Sequence, residues 1–103
     1  MLFLVFKGRI KGRKIYEQFA QDVVNDLFPR EFKRDIVIGI QFKNVVENGL
    51  FGLASEHHDD EYLVEVGKVV DDGELRAIEP REIASTIAHE LVHIKQYIRR
   101  ELS

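Results

Sequence analysis

The sequence contains no cysteine and no tryptophan, and only two prolines among its 103 residues. The lack of cysteine excludes disulfide bridges, Cys-ligated zinc and thiol nucleophiles. Long apolar runs are also missing: residues 1–6 are apolar but too short for a signal-peptide core, and nothing reaches the length that spans a membrane. We therefore expect a cytoplasmic protein without a membrane segment.

Positive charge is not in excess. The net charge is −3 and the isoelectric point about 5.8, which argues against a nucleic-acid partner bound through bulk electrostatics. A hydrophobic content of 45% is typical of a globular protein with a core. The length suits one domain over residues 1–103 and is too short for two.

The most informative stretch that is present is His89-Glu90-Leu91-Val92-His93. Residues four apart lie one turn apart on the same face of an α-helix, so His89 and His93 can offer two imidazole nitrogens to one metal ion. Glu90 directly follows the first ligand, where a hydrolytic zinc site needs a carboxylate to take a proton from zinc-bound water. The alternative is a pair of solvated histidines on the surface of a helix.

The residues around this motif predict a long amphipathic helix from about Pro80 to about Leu102. Pro80 suits the first helical position and Glu82 favours the positive end of the helix dipole. A core-facing stripe then recurs at spacings of four and three, on the side of the helix away from the histidines. The stripe consists of Ile83, Ile87, Leu91, Ile94 and Ile98.

The rest of the chain alternates between patterns typical of strands and helices. Residues 2–6 and 35–42 are predicted strands. Residues 14–28 are a predicted helix with a stripe formed by Ile15, Phe19, Val23 and Leu27, which is flanked by Tyr16, Ala20, Val24 and Phe28. Residues 50–56 and 61–66 are predicted to pair as a hairpin, and Asn48-Gly49 and residues 71–74 to form turns. The order predicts one α+β domain, with a short, mostly antiparallel sheet packed on two helices.

The third ligand of a catalytic zinc site is not assigned by the sequence. His57 and His58 could supply it, although a charged hairpin tip explains them as well. Tyr97 shares the histidine face and could hydrogen-bond a substrate oxyanion or pack beside the site. Glu101 lies eight residues after His93, about 12 Å along the axis, and could serve only if the helix broke after Tyr97. A partner subunit, or waters on a site with two protein ligands, are the remaining options.

Residues 86–97 resemble the active-site helix of the zincin metallopeptidases, in particular the minigluzincins and the SprT-like proteins. The wider order, an early helix and a small sheet with a hairpin before the motif helix, is similar too. The resemblance implies Zn²⁺ as cofactor, His89 and His93 as ligands and Glu90 as general base and proton shuttle. It further implies that a peptide or protein substrate binds along an edge strand near residues 50–56.

These observations lead to one main hypothesis, a minimal zinc-dependent metallopeptidase that hydrolyses peptide bonds. A second hypothesis is a latent or non-catalytic zincin-like domain that binds metal or protein. The third is an interaction module without metal. The oligomeric state and the substrate are open.

Overall fold

The structure, a computed structural model, describes residues 1–47, 49–71 and 73–102. It contains two helices, α1 (Arg13–Leu27) and α2 (Pro80–Leu102). Neither of the helices in this part of the chain is long and apolar enough to cross a membrane. The six strands are β1 (Leu2–Lys7), β2 (Ile36–Lys43), β3 (Gly52–His58), β4 (Glu61–Gly67), β5 (Val69–Asp71) and β6 (Leu75–Ala77).

Four strands form the main sheet, in the order β1-β2-β4-β3. The fold is α+β, as the sequence predicts, and the predicted strands, the hairpin and both helices form close to their expected positions. The β3–β4 hairpin closes at Asp60, which adopts a left-handed conformation with φ of 64°. Aspartate tolerates this conformation better than most residues do, because its short polar side chain can hydrogen-bond locally.

The prediction of a mostly antiparallel sheet is wrong. In the main sheet the β1–β2 and β2–β4 pairs are parallel, and the β3–β4 pair is antiparallel. The reason lies in the connections. Helix α1 carries the chain back to the end where β1 began, so β2 runs parallel to β1. The chain then forms β3 at the sheet edge before β4 returns between β3 and β2.

The core lies between one face of this sheet and the two helices. The predicted stripe of α2 is confirmed in full, since all five of its members are buried. The sheet contributes alternate residues, as expected when one face packs on helices and the other is open. On β2 and β4 these inward-facing residues are Ile36, Ile38, Ile40, Phe42, Tyr62, Val64 and Val66.

Helix α1 packs on the core mainly through the row of residues that flanks its predicted stripe. Its buried residues are Tyr16, Ala20 and Val24, which the sequence pattern places beside the main stripe. Phe19 is only partly buried, and Ile15 at the start of the helix is 74% exposed. The two adjacent apolar rows on α1 cannot be ranked from the sequence, because the choice depends on how α1 meets α2.

Residues 69–77 form a small hairpin where the sequence predicts only a turn. Strands β5 and β6 pair antiparallel, and the backbone N–H of Ile78 donates to Lys68 O at 2.9 Å to close the base. Asp72, in the predicted turn, lies outside the described residues, as does Asn48 of a second predicted turn. Strands of three residues are too short to show a clear alternation of apolar and polar residues, so the sequence does not predict them.

Replacing Leu91 with alanine should lower the free energy of unfolding by about 2–5 kcal/mol, because Leu91 is fully buried on the core face of α2. Urea unfolding in the presence of chelator measures this. The matched control is the neighbouring Val92→Ala, at a position 41% exposed, which should change stability by no more than about 0.5 kcal/mol. Equal effects of the two substitutions would contradict the orientation of α2.

Candidate metal centre

The start of α2 fixes the register of the histidine motif. Pro80 is the first helical residue, as predicted, and Glu82 Oε1 accepts a hydrogen bond from the backbone N–H of Glu79 at 3.3 Å. This is one half of a capping box, which satisfies a donor that the helix itself leaves free. The buried stripe then sets the rotation of the helix about its axis, so the opposite face is directed away from the core.

On that face His89 and His93 converge. Their Nε2 atoms are 3.2 Å apart, and the two rings meet edge to face with centroids 4.8 Å apart. Two ligands about 2.0–2.1 Å from one tetrahedral ion are separated by about 3.3 Å, so the pair has the spacing that a shared metal ion requires. His89 is 71% exposed in its side chain, which leaves the site open to ions from solvent.

Glu90 completes the group. The potential ligand atoms of His89, Glu90 and His93 all lie within 4.8 Å of one another, and Glu90 Oε1 is 4.0 Å from His89 Nε2. Glu90 is only 7% exposed and is the one polar or charged residue among the buried side chains of the described chain. Because burying a carboxylate is costly, a buried glutamate beside two imidazoles is more typical of a functional site than of a structural one.

Gln96 is a residue that sequence reasoning did not connect with the site. His93 Nδ1 lies 3.3 Å from Gln96 Oε1, one helical turn further along α2. An amide oxygen can only accept, so this contact has Nδ1–H donating and leaves the lone pair of His93 on Nε2. Such contacts orient metal-binding histidines in proteins. The spacing of three residues on a helix is the signal that could have revealed it.

Strand β3 passes very close to this part of α2. A Cβ atom added to Gly52 would lie 2.4 Å from Thr86 Cγ2 and 3.2 Å from Glu90 Cγ, so only glycine permits the approach. A cleft of about 340 Å³ opens beside this contact. One wall is the segment that leads into β3, and the other is the face of α2 that carries His89 and Glu90. The lining residues are Leu50, Phe51, Gly52, Ser85, Thr86, His89 and Glu90.

His57 and His58, which the sequence also offered as ligands, do not join the group. Among the described residues, His89, Glu90 and His93 form the one cluster of three potential ligands; His57 and His58 are exposed at the end of β3. Helix α2 runs without a break to Leu102, so the condition under which Glu101 could serve is not met; its side chain lies outside the described part.

Tyr97 is on the predicted side of α2, one turn beyond His93. It packs against the core, and the guanidinium of Arg100 lies 5.2 Å from its ring centroid. A hydrogen bond from its hydroxyl to a substrate stays a prediction.

Comparison with protein-family models, with curated proteins and with solved structures finds no match for this chain. Two imidazoles at metal-sharing distance and a neighbouring carboxylate could hold a metal ion. Imidazole and carboxylate together suit zinc and several other first-row transition metals.

Zinc should raise the melting temperature of the chain through His89 and His93. At a free concentration 100 times its Kd, a metal that binds only the folded state adds about 2.7 kcal/mol of stability. Thermal unfolding with and without Zn²⁺ measures the shift. His93→Ala should abolish it, because one of two imidazoles is lost, whereas His57→Ala, a matched control outside the cluster, should retain it. An unchanged melting temperature in the wild type, or a full shift in His93→Ala, would rule out this centre.

Proposed function

We propose that this chain is a zinc-dependent metallopeptidase of the zincin type, which hydrolyses peptide bonds in the cleft between β3 and α2. The observation that carries the proposal is the constellation on α2: two Nε2 atoms 3.2 Å apart, with the buried Glu90 carboxylate 4.0 Å from one of them. The cleft lies directly beside this group, so the reacting groups and a space for substrate occur together.

His89 and His93 would hold the zinc ion. When bound, zinc supplies a Lewis acid that polarises a carbonyl and lowers the pKa of water. The donor set fits this role because both imidazoles project from one rigid helix, and Gln96 fixes the orientation of His93. His89 is exposed, which keeps its side of the site accessible to substrate.

Glu90 would act as the general base. Its carboxylate takes a proton from the attacking water while the water oxygen bonds to the scissile carbonyl carbon. The same carboxyl then passes that proton to the amine nitrogen as the C–N bond breaks, so the group returns to its starting state. Glu90 is buried close to Gly52 and Thr86, which limits its side-chain rotamers. A base that is already held in its reactive orientation lowers the activation free energy of the proton transfer.

Substrate would bind along β3 by β-augmentation. Strand β3 is at the edge of the four-stranded sheet. Phe51 O accepts from the backbone N–H of Gly67 at 2.8 Å, and in an antiparallel pair such bonded positions alternate. Gly52 and Ala54 therefore turn their backbone N–H and C=O groups to the free edge. An extended peptide could pair with these groups immediately beside Glu90.

A second candidate function is metal or protein binding without catalysis. One observation favours it: catalytic zinc sites take three protein ligands, whereas the described residues bring together two imidazoles and the glutamate that serves as base. This candidate predicts that the chain retains zinc yet cleaves none of a panel of unstructured proteins.

Glu90→Gln should lower the rate of peptide hydrolysis by about 10²- to 10⁴-fold, because an amide cannot take the proton from water. Zinc content should be unchanged, since His89 and His93 remain. The measurement is cleavage of an unfolded protein substrate by the zinc-loaded chain, with bound metal determined in parallel. Glu61→Gln, a change of the same kind at an exposed position on β4, is the control and should keep full activity. Hydrolysis that survives in Glu90→Gln would exclude Glu90 as the base.

Ala54→Pro should raise KM about fivefold with little change in kcat, because it removes one outward N–H donor worth about 1 kcal/mol to a bound peptide. Proline is tolerated at an edge position whose N–H faces solvent, so the fold should persist. The control Ala54→Gly keeps the donor and should leave KM close to that of the wild type. Steady-state kinetics and circular dichroism of both variants check the result. A folded Ala54→Pro variant with unchanged KM would show that substrate does not pair with β3.

A further inference from the structure

An apolar groove of about 730 Å³ lies where the first turns of α1 and α2 meet, away from the metal centre. We call it the helix groove. Its apolar walls come from both helices and from the segments that precede them. They are formed by Ile10, Ile15, Tyr16, Phe19, Ile78 and Ile83.

The charged residues that line the helix groove are all positive. They are Lys11, Lys68 and Arg81, and no carboxylate lines it among the described residues. This is unexpected in a chain whose net charge is −3, because acidic residues outnumber basic ones elsewhere on the surface. A cationic rim around an apolar floor attracts a segment that combines acidic and aliphatic side chains.

The same chain presents such a segment at the β5–β6 hairpin. Asp71 and Glu74 are exposed there, and Leu75 beside them is 73% exposed. Arg76 faces the body of the protein, with its guanidinium 5.7 Å from the Phe51 ring centroid and 3.5 Å from Glu82 Oε1. Since successive residues on a strand point to opposite faces, Leu75 is held outward.

Ile15 and Leu75 are the two most exposed large hydrophobic residues in the described chain. Ile15 lines the helix groove and Leu75 lies on the β5–β6 hairpin. A single contact between two copies would therefore cover both side chains. We propose that the chain forms a homodimer in which the β5–β6 hairpin of each copy docks in the helix groove of the other. Leu75 enters the apolar floor, and Asp71 and Glu74 meet the cationic rim.

The position of the hairpin favours a closed dimer over an open chain of copies. Lys68 and Ile78 flank the hairpin directly, and both also line the helix groove. The hairpin therefore rises from the margin of the groove, and three residues per strand extend it by about 10 Å. A two-fold axis near this margin places each hairpin over the other groove at once, which gives an isologous interface.

Sedimentation equilibrium of the full chain, with chelator present to exclude bridging by metal, tests the proposal. The expected result is a transition from 12.0 kDa to twice that mass as concentration rises, and a contact of this modest size should have a Kd of about 10–100 µM. Leu75→Asp should raise Kd at least about tenfold. The matched control Val5→Asp, at a position 42% exposed on the open sheet face, should leave it unchanged.

Charge reversal makes the test specific. Lys68→Glu and Glu74→Lys should each weaken the dimer, and the double variant should restore it to within about threefold of the wild-type Kd, because the opposite charges face each other again. Concentration-dependent NMR shifts should centre on Ile15 and Leu75 in the wild type, a readout that needs no variant. A monomer up to about 1 mM, a dimer that Leu75→Asp leaves intact, or the absence of rescue in the double variant would each overturn the proposal.

Discussion

The structure depends on the separation of two faces on one helix. Burial of the stripe from Ile83 to Ile98 fixes the rotation of α2 against the sheet and α1. Because side chains on a helix have fixed angular offsets, this rotation also sets the direction of His89 and His93. Turning the helix far enough to separate the imidazoles from the cleft would expose core residues and cost several kcal/mol. The hydrophobic core therefore pre-organises the candidate metal centre, and the histidines need no dedicated scaffold of their own.

The edge position of β3 brings this strand next to the candidate metal centre on α2. Had the chain formed a simple meander, β4 would have been the outermost strand and β3 would have had a neighbour on each side. The observed order places β3 at the open edge, in contact with α2, and Gly52 lets the two backbones approach closely. This approach also encloses Glu90. In the proposed reaction Glu90 is the general base, and a base works best where water is limited and its orientation is fixed. The contact with β3 favours both conditions.

The sequence is most informative where a feature is local and periodic. The start of α2 at Pro80, its buried stripe and the pairing of His89 with His93 follow from helical spacing alone. The predicted strand–helix–strand order already favours the parallel pairing of β1 with β2. The insertion of β4 between β2 and β3 depends on contacts between distant segments and does not follow from local spacing. The same limit applies to Ile15, whose exposure is set by how α1 meets α2. The requirement for glycine at position 52 cannot be predicted either, because it comes from the close approach to Thr86 in the folded structure.

The cleft beside the candidate metal centre and the helix groove are both lined by the first turns of α2. Thr86 lines the cleft, while Arg81 and Ile83 line the groove one turn earlier. Arg76 links the two regions physically, since its guanidinium contacts both Glu82 on α2 and Phe51 on the wall of the cleft. Leu75, which the proposed dimer would bury, is next to Arg76 in β6, so one three-residue strand would contact both the groove of the second copy and the wall of the cleft.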